Sequence, residues 1–202
     1  MKYSPRELAV LAVFGAVWGL VEVSLGSVLK ALDVPLSGMI LAALGLLIAL
    51  IGRIYVPKKG STLFIGIIAM LLKLFSMGGI IIGPMVAILV EALVAEGVLS
   101  AFGKPSRLAF AFAGALAVTW TLVQPFVTGP LLFGRAVVDI WLRFIEDGAA
   151  LLGLAPEAVL WIAAGLAAIY LTAGALVGLI GWGLAGQLVK RAGSTAPAAV
   201  QN

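Results

Sequence analysis

The sequence predicts an all-α membrane protein: a bundle of six transmembrane helices with an extra amphipathic helix between helices 5 and 6. The first observation is composition, because 63% of the 202 residues are apolar and only 11% are charged. Soluble domains hold about 45–50% apolar and about 25% charged residues, so most of this chain must face lipid. The second observation is that long apolar runs alternate with short polar connections, and the third is that the basic residues cluster in every other connection.

Helix 1 is predicted over Pro5–Leu25. Ser4 can cap it, Pro5 suits the first helical position, and Glu7 completes a capping box. The apolar run exceeds the roughly 7–15 residues of a signal-peptide core, so we expect it to be retained. One face of this helix carries small residues at helical spacing, with Gly15 beside them: Ala9, Ala12, Ala16 and Gly19. Such a face allows close helix packing in lipid, either inside this chain or against a partner protein.

A polar connection, Gly26–Ser37, is expected after helix 1. Pro57 and Gly60 mark a second, basic loop, and Met77–Gly83 forms a glycine-rich corner. The next helices are predicted over Gly38–Ile54, Ser61–Ser76, Ile80–Phe102 and Ser106–Val127, the last ending at the breakers Pro125 and Gly129-Pro130.

Residues 131–153 differ from the rest because Arg135, Asp139, Arg143 and Asp147 recur every four residues with alternating sign. Apolar residues occupy the other side, which predicts an amphipathic helix that lies in the interface or extends a membrane helix. Helix 6 is predicted over Ala158–Leu188, with a glycine stripe for close packing in its second half. We expect one transmembrane domain over residues 1–191 and a disordered tail over 192–202.

The basic residues orient the bundle. Nine of the thirteen Lys and Arg residues fall on one set of helix ends and four on the other. The positive-inside bias therefore predicts a multi-pass protein of the cell membrane with both termini in the cytoplasm.

Helix 4 carries the residue of greatest interest. Gly79–Ser100 reads GIIIGPMVAILVEALVAEGVLS and holds Glu91 and Glu96 within an apolar run. An acid at this depth is costly, and we interpret Glu91 either as a ligand or ion site or as a structural hydrogen bond. Lys73, on the preceding segment, is the expected partner of Glu91. Glu96 points to another face, so a neighbouring helix or Lys104 is its expected contact.

Several polar side chains are predicted to lie in the outer half or at the centre of the bundle, judged from a rise of about 1.5 Å per helical residue. A few polar groups beside aromatic faces suit a small organic ligand. The candidate ligand-binding residues are Glu91, Lys73, Trp120, Gln124, Glu22 and Trp18. The alternative for Glu22 and Lys73 is snorkelling to the interface, and for the tryptophans a place in the aromatic belt.

The composition excludes several chemistries. There is no Cys and no His, which removes thiolate nucleophiles, the commonest general base and the commonest transition-metal ligand. No Walker motif occurs. We therefore expect no enzyme activity, no bound cofactor and no metal, and charges that are few and clustered between apolar runs argue against nucleic acid binding.

The chain resembles the substrate-binding S components of energy-coupling factor (ECF) transporters. The resemblance covers about residues 5–190 and is carried by six helices, a length near 200 residues, both termini inside, and Ala12-x-x-x-Ala16 on helix 1. It implies that Ala12 and Ala16 dock on a transmembrane coupling subunit, which two ATPase subunits power. It also implies an outer ligand pocket lined by helices 4 to 6, with Gly26–Ser37 as a lid.

The resulting hypothesis is a high-affinity binding subunit for uptake of a small organic micronutrient, a vitamin or a precursor. Two alternatives remain: a self-contained small carrier or channel that uses Glu91 and Lys73, or an envelope assembly protein without a ligand.

Overall fold

The computed structural model describes residues 3–76, 82–134 and 156–191. These residues form six α-helices, with a 3-10 turn at Lys73–Phe75 directly after the third. The helices are α1 Pro5–Ala31, α2 Ser37–Tyr55, α3 Ser61–Leu72, α4 Ile82–Phe102, α5 Arg107–Phe133 and α6 Pro156–Arg191. The predicted amphipathic helix falls mostly on residues 135–155, and the predicted tail on 192–202, both outside the described residues.

Five of the six helices, all except α3, are long and apolar enough to cross a membrane. A span of hydrocarbon core needs about 20 apolar residues, and α3 has 12 before its 3-10 turn. The described part of the chain is thus all-helical, and its long apolar helices are those of a multi-pass membrane protein. The third predicted span, Ser61–Ser76, corresponds to an apolar helix shorter than the others.

Helix α1 is longer than predicted, because it continues through Gly26 to Ala31 rather than ending at Leu25. The predicted Gly26–Ser37 loop was therefore wrong over its first half, and the connection is Leu32–Leu36. Glycine inside a helix costs about 1 kcal/mol relative to alanine, which is little in a helix packed on its neighbours. Lys30 lies in the last turn, where a cation is favourable beside the helix C-terminus.

Helix α5 also runs past its predicted end. It contains Pro125 and Pro130 and reaches Phe133, where the N–H of Gly134 donates to Pro130 O at 3.0 Å. Proline removes one backbone donor, but in membrane helices neighbouring hydroxyls and packing compensate. Pro125 leaves the carbonyl of Thr121 without its helical donor, while packing on α4 and α6 supports the helix on both sides of it.

The start of α1 and the α2–α3 connection lie together, and we call this end of the bundle the basic end. The predicted capping box is confirmed, since Glu7 N donates to Ser4 Oγ at 3.2 Å and Ser4 N donates to Glu7 Oε2 at 2.7 Å. Lys58 Nζ then binds Glu7 Oε2 at 2.7 Å, and the hydroxyl of Tyr3 donates to Lys59 O at 2.7 Å.

Helix α2 lies at the centre and contacts each of the other five helices. Two apolar clusters meet on it. One joins α2 to α4, α5 and α6 around Phe110 and Leu50, and the other joins α1, α2, α3 and α4 around Trp18 and Ile65. Each of these four side chains is fully buried. The membrane-spanning helices are therefore held by two packed clusters that share α2 and α4.

Helices α5 and α6 approach each other at backbone distance. A Cβ atom added at Gly174 would overlap Gly114 O, and one at Gly178 would overlap Phe110 O. The predicted glycine stripe is thus confirmed at Gly174 and Gly178, which are four residues apart as in close-packed membrane helices. Gly183, by contrast, is exposed, and a Cβ atom added there would meet no other atom within 4 Å.

Candidate functional site

A cavity of about 340 Å³ lies between α1, α2, α4, α5 and the 3-10 turn. It lies at the end of the bundle opposite the basic end, and we call it the cavity end. Its polar lining side chains are Glu22, Lys30, Ser37, Lys73, Glu91, Thr121 and Gln124. Four of the six candidate ligand-binding residues therefore line one space. The resemblance implies a pocket lined by helices 4 to 6, whereas α6 contributes none of the lining residues of this cavity.

Lys73 is held by α1. Its Nζ atom donates to the backbone oxygen of Glu22 at 2.7 Å and to Glu22 Oε2 at 3.2 Å. Both side chains are less than a tenth exposed, so neither snorkels to the surface. The predicted pairing of Lys73 with Glu91 was wrong. Because α1 packs directly on α3, Glu22 is the carboxylate that lies within ion-pair distance of the ammonium group.

Glu91 lines the cavity and has no partner among the described residues. The residue is 3% exposed, and its Oε2 atom accepts no hydrogen bond from any residue that the structure describes. A buried carboxylate without a partner is energetically costly, and burial is normally offset by pairing or hydrogen bonds. Glu91 is therefore the lining side chain that most needs a hydrogen-bond donor from a ligand.

Gln124 and Thr121 bring amide and hydroxyl groups from α5 to the opposite wall. The Nε2 atom of Gln124 donates to Thr128 Oγ1 at 2.6 Å and, weakly, to Gly83 O at 3.4 Å. The hydroxyl of Thr121 donates to Val118 O at 2.8 Å. In both side chains the donor is occupied, and an oxygen remains able to accept a hydrogen bond.

The two candidate tryptophans do not line the cavity. Trp18 is fully buried between α1 and α2, where its indole fills the space that a side chain at Gly45 would take, so it is not an aromatic-belt residue. Trp120 is half-buried, with its Nε1 atom shielded from solvent. Trp161 is 78% exposed on α6, as a belt residue would be.

Glu96 belongs to a separate network at the basic end. Its carboxylate binds Arg53 Nη1 at 3.1 Å and accepts from Ser100 Oγ at 2.6 Å and from the backbone N–H of Thr62 at 3.0 Å. Arg53 Nη1 also donates to the carbonyl of Lys58. The expected contact with a neighbouring helix is thus made by Arg53 of α2 rather than by Lys104. Because Glu96 also caps the N-terminus of α3, its role is structural.

The small residues of α1 divide between two faces. Gly19 and the adjacent Gly15 are buried against α3, where Leu72 and Ile68 leave no room for a Cβ. Ala9 and Ala16 are exposed, and Ala12 is half-buried. Each alternative left open by the sequence therefore applies to some of these small residues. The glycines pack inside the chain, and the alanines remain available for contact with a partner protein.

Lys30 and Gly26 were missed as lining residues because helix 1 was predicted to end at Leu25. Glu22, Gly26 and Lys30 follow one another at four-residue spacing, which places them on one face of a continuous helix. Extending the periodicity through Gly26 would have identified them. Thr121 lies three residues before Gln124, so helical periodicity also places it on the face of α5 that carries Gln124.

Among the described residues, no group of three or more His, Cys, Asp and Glu side chains is placed to hold a metal ion. We found no match to the chain among protein-family models, curated proteins or solved structures.

Proposed function

We propose that this chain is the membrane-embedded binding subunit of a micronutrient uptake system, similar to the S component of an ECF transporter. The observation that carries the proposal is Glu91, a buried carboxylate without a described partner that lines a cavity inside a bundle of membrane helices. Charged residues at such a position generally mark a substrate or ion pathway. The cavity volume of about 340 Å³ is in the range of small-molecule sites.

The packing between the cavity and the basic end favours a binding site over a pore. Leu11, Trp18, Leu46 and Ile65 are all fully buried in this region and come from three different helices. A water-filled path would require gaps among them. Lys73 is also bonded to Glu22, which argues against the alternative of a carrier with a Lys73–Glu91 ion relay.

Transport by such a subunit requires partners, and we place their docking surface on α1. Ala9 and Ala16 are exposed there with Ala12 beside them, so a helix of another subunit can approach closely. The proposed partners are a transmembrane coupling subunit and two ATPase subunits. In this proposal the protein lies in the cell membrane with both termini, and therefore the basic end, in the cytoplasm.

The ligand part of the proposal is tested on the full-length protein purified in detergent. Mass spectrometry of the small molecules released on denaturation should detect one organic molecule in near-stoichiometric amount. The Glu91→Gln variant should release much less of it, whereas the matched Glu7→Gln variant, altered at the basic end, should release as much as wild type. Absence of any released molecule from the wild-type protein would argue for an assembly role without a ligand.

The partner part is tested by affinity purification from the native membrane. We expect an integral membrane subunit and ATPase subunits to accompany the wild-type chain. Ala16→Trp should abolish this association while leaving small-molecule release unchanged. Leu93→Trp, at a position 53% exposed on α4, serves as the control for a bulky substitution on an outward face. Uptake by the purified chain alone in liposomes would favour the self-contained carrier instead.

A further inference from the structure

At its floor the cavity offers free acceptor oxygens, whereas the buried cation there, Lys73, is already paired. Lys73 is held against α1 by two contacts with Glu22. The remaining cation, Lys30, is exposed and therefore lies at the rim rather than at the floor. A ligand that reaches the floor meets no described cation that is not already paired.

The acceptors at the floor are, in contrast, unoccupied. Neither oxygen of Glu91 takes part in a hydrogen bond or ion pair with the described part of the chain, and Oε2 is completely shielded from solvent. Gln124 uses its amide nitrogen for contacts within the protein, which leaves its oxygen free to accept. A molecule bound between α4 and α5 is thus offered acceptor oxygens from both walls.

The balance of charge points the same way. Glu22 and Glu91 bring two carboxylates to the cavity; Lys73 pairs with the first, and the other lining cation, Lys30, lies at the exposed rim and not beside Glu91. Burying an anionic ligand beside an uncompensated carboxylate is repulsive, and the low dielectric of the site strengthens this repulsion. A cation at the same position gains a charge-assisted hydrogen bond, about twice as strong as a neutral one.

We infer that the ligand is a small organic cation that directs a protonated nitrogen, such as an amine or an amidine, at Glu91. This inference rests on the proposed binding function and adds the chemical class of the substrate. The rest of the ligand contacts an apolar wall formed by Leu41, Ala42 and Ile88, which matches a short hydrocarbon or aromatic body. Negatively charged groups of the ligand, where it has any, would lie at the rim near Lys30.

The test uses matched trios of compounds that differ only in charge, applied to full-length protein in detergent. The trios are phenethylamine, 2-phenylethanol and 3-phenylpropionate; benzamidine, benzamide and benzoate; and tryptamine, tryptophol and indole-3-propionate. Each compound is added in excess, and the midpoint of thermal unfolding is measured, because binding to the folded state raises it. We expect the cationic members to raise the midpoint more than their neutral and anionic counterparts.

Two variants assign the effect to the cavity. Glu91→Gln keeps the side-chain shape and should weaken binding of the cations roughly ten- to a hundredfold, the effect of losing one charged hydrogen bond. Glu7→Gln makes the same substitution at the basic end and should leave the shifts unchanged. A cationic preference that persists in Glu91→Gln would overturn the assignment, since it would reflect non-specific binding.

These measurements separate a ligand of another charge class from a protein that binds no ligand. Preference for carboxylate or neutral members, or release from wild-type protein of a molecule without a basic nitrogen, contradicts the cation while leaving a binding subunit. A protein that releases no molecule and responds to no trio contradicts both. A released molecule with a basic nitrogen, lost in Glu91→Gln, supports both.

Discussion

Replacing Lys73 by Met tests the ion pair at the floor of the cavity. Met retains most of the apolar stem of Lys and removes only the ammonium group, so packing is changed little. The substitution leaves the Glu22 carboxylate buried with an exposed side-chain fraction of only 6% and deprives the Glu22 carbonyl of a 2.7 Å hydrogen bond. Removing one partner of a buried ion pair typically costs about 3–5 kcal/mol of unfolding free energy, and we expect a loss of that size.

A second substitution identifies the partner. Replacing both members of a buried pair by apolar residues is often neutral or stabilising, so Lys73→Met with Glu22→Leu should regain most of the lost stability. Lys73→Met with Glu91→Leu should not, because the Glu22 carboxylate stays unpaired. The unfolding free energies are measured by titration with SDS in mixed micelles, and the coupling energy is taken from the double-mutant cycle. Rescue by Glu91→Leu in place of Glu22→Leu would refute the pairing described here.

Two further pairs of substitutions, each a test with its control, probe the packing of the bundle by thermal unfolding in detergent. Gly178→Ala places a Cβ on the Phe110 carbonyl and should cost about 1–3 kcal/mol, as overpacking does. Gly183→Ala has open space inside the same helix and should instead raise stability by up to about 1 kcal/mol; equal effects would argue against the α5–α6 contact. Glu96→Leu leaves a buried guanidinium unpaired and uncaps α3, and should cost about 3–5 kcal/mol. Glu7→Leu, which breaks a partly exposed pair, should have a much smaller effect, and a comparable loss would contradict a structural role specific to Glu96.

The helices were predictable from sequence because lipid imposes a simple rule. Runs of apolar residues about 20 long must be helical, since no water is present to bond the backbone. The starts of α1 and α3 were correct to the residue, and the start of α1 was marked by its capping box. The ends were harder: Gly26, Pro125 and Pro130 indicate breaks in isolation, but the helices continue through them because neighbouring helices support the backbone.

Most polar residues of the candidate site were predictable from the sequence, but the ion pair between them was not. Depth along each helix placed Glu22, Lys73, Glu91 and Gln124 in one half of the bundle, and the structure places all four around one cavity. Depth carries no information on rotation about the helix axis or on which helices are neighbours. For that reason the partner of Lys73 was assigned wrongly, and Trp18 was expected near the ligand although it faces the core.

The backbone contact between α5 and α6 has a consequence for how the cavity changes shape. Because the two backbones approach each other at Gly114, Gly174 and Gly178 with no room for a side chain between them, a slide or tilt of one helix on the other meets steric overlap. A change of cavity shape that preserves this contact moves α1, α2 or α4 relative to α5. The Lys73–Glu22 ion pair links α1 to the turn that follows α3, so these two helix ends move together.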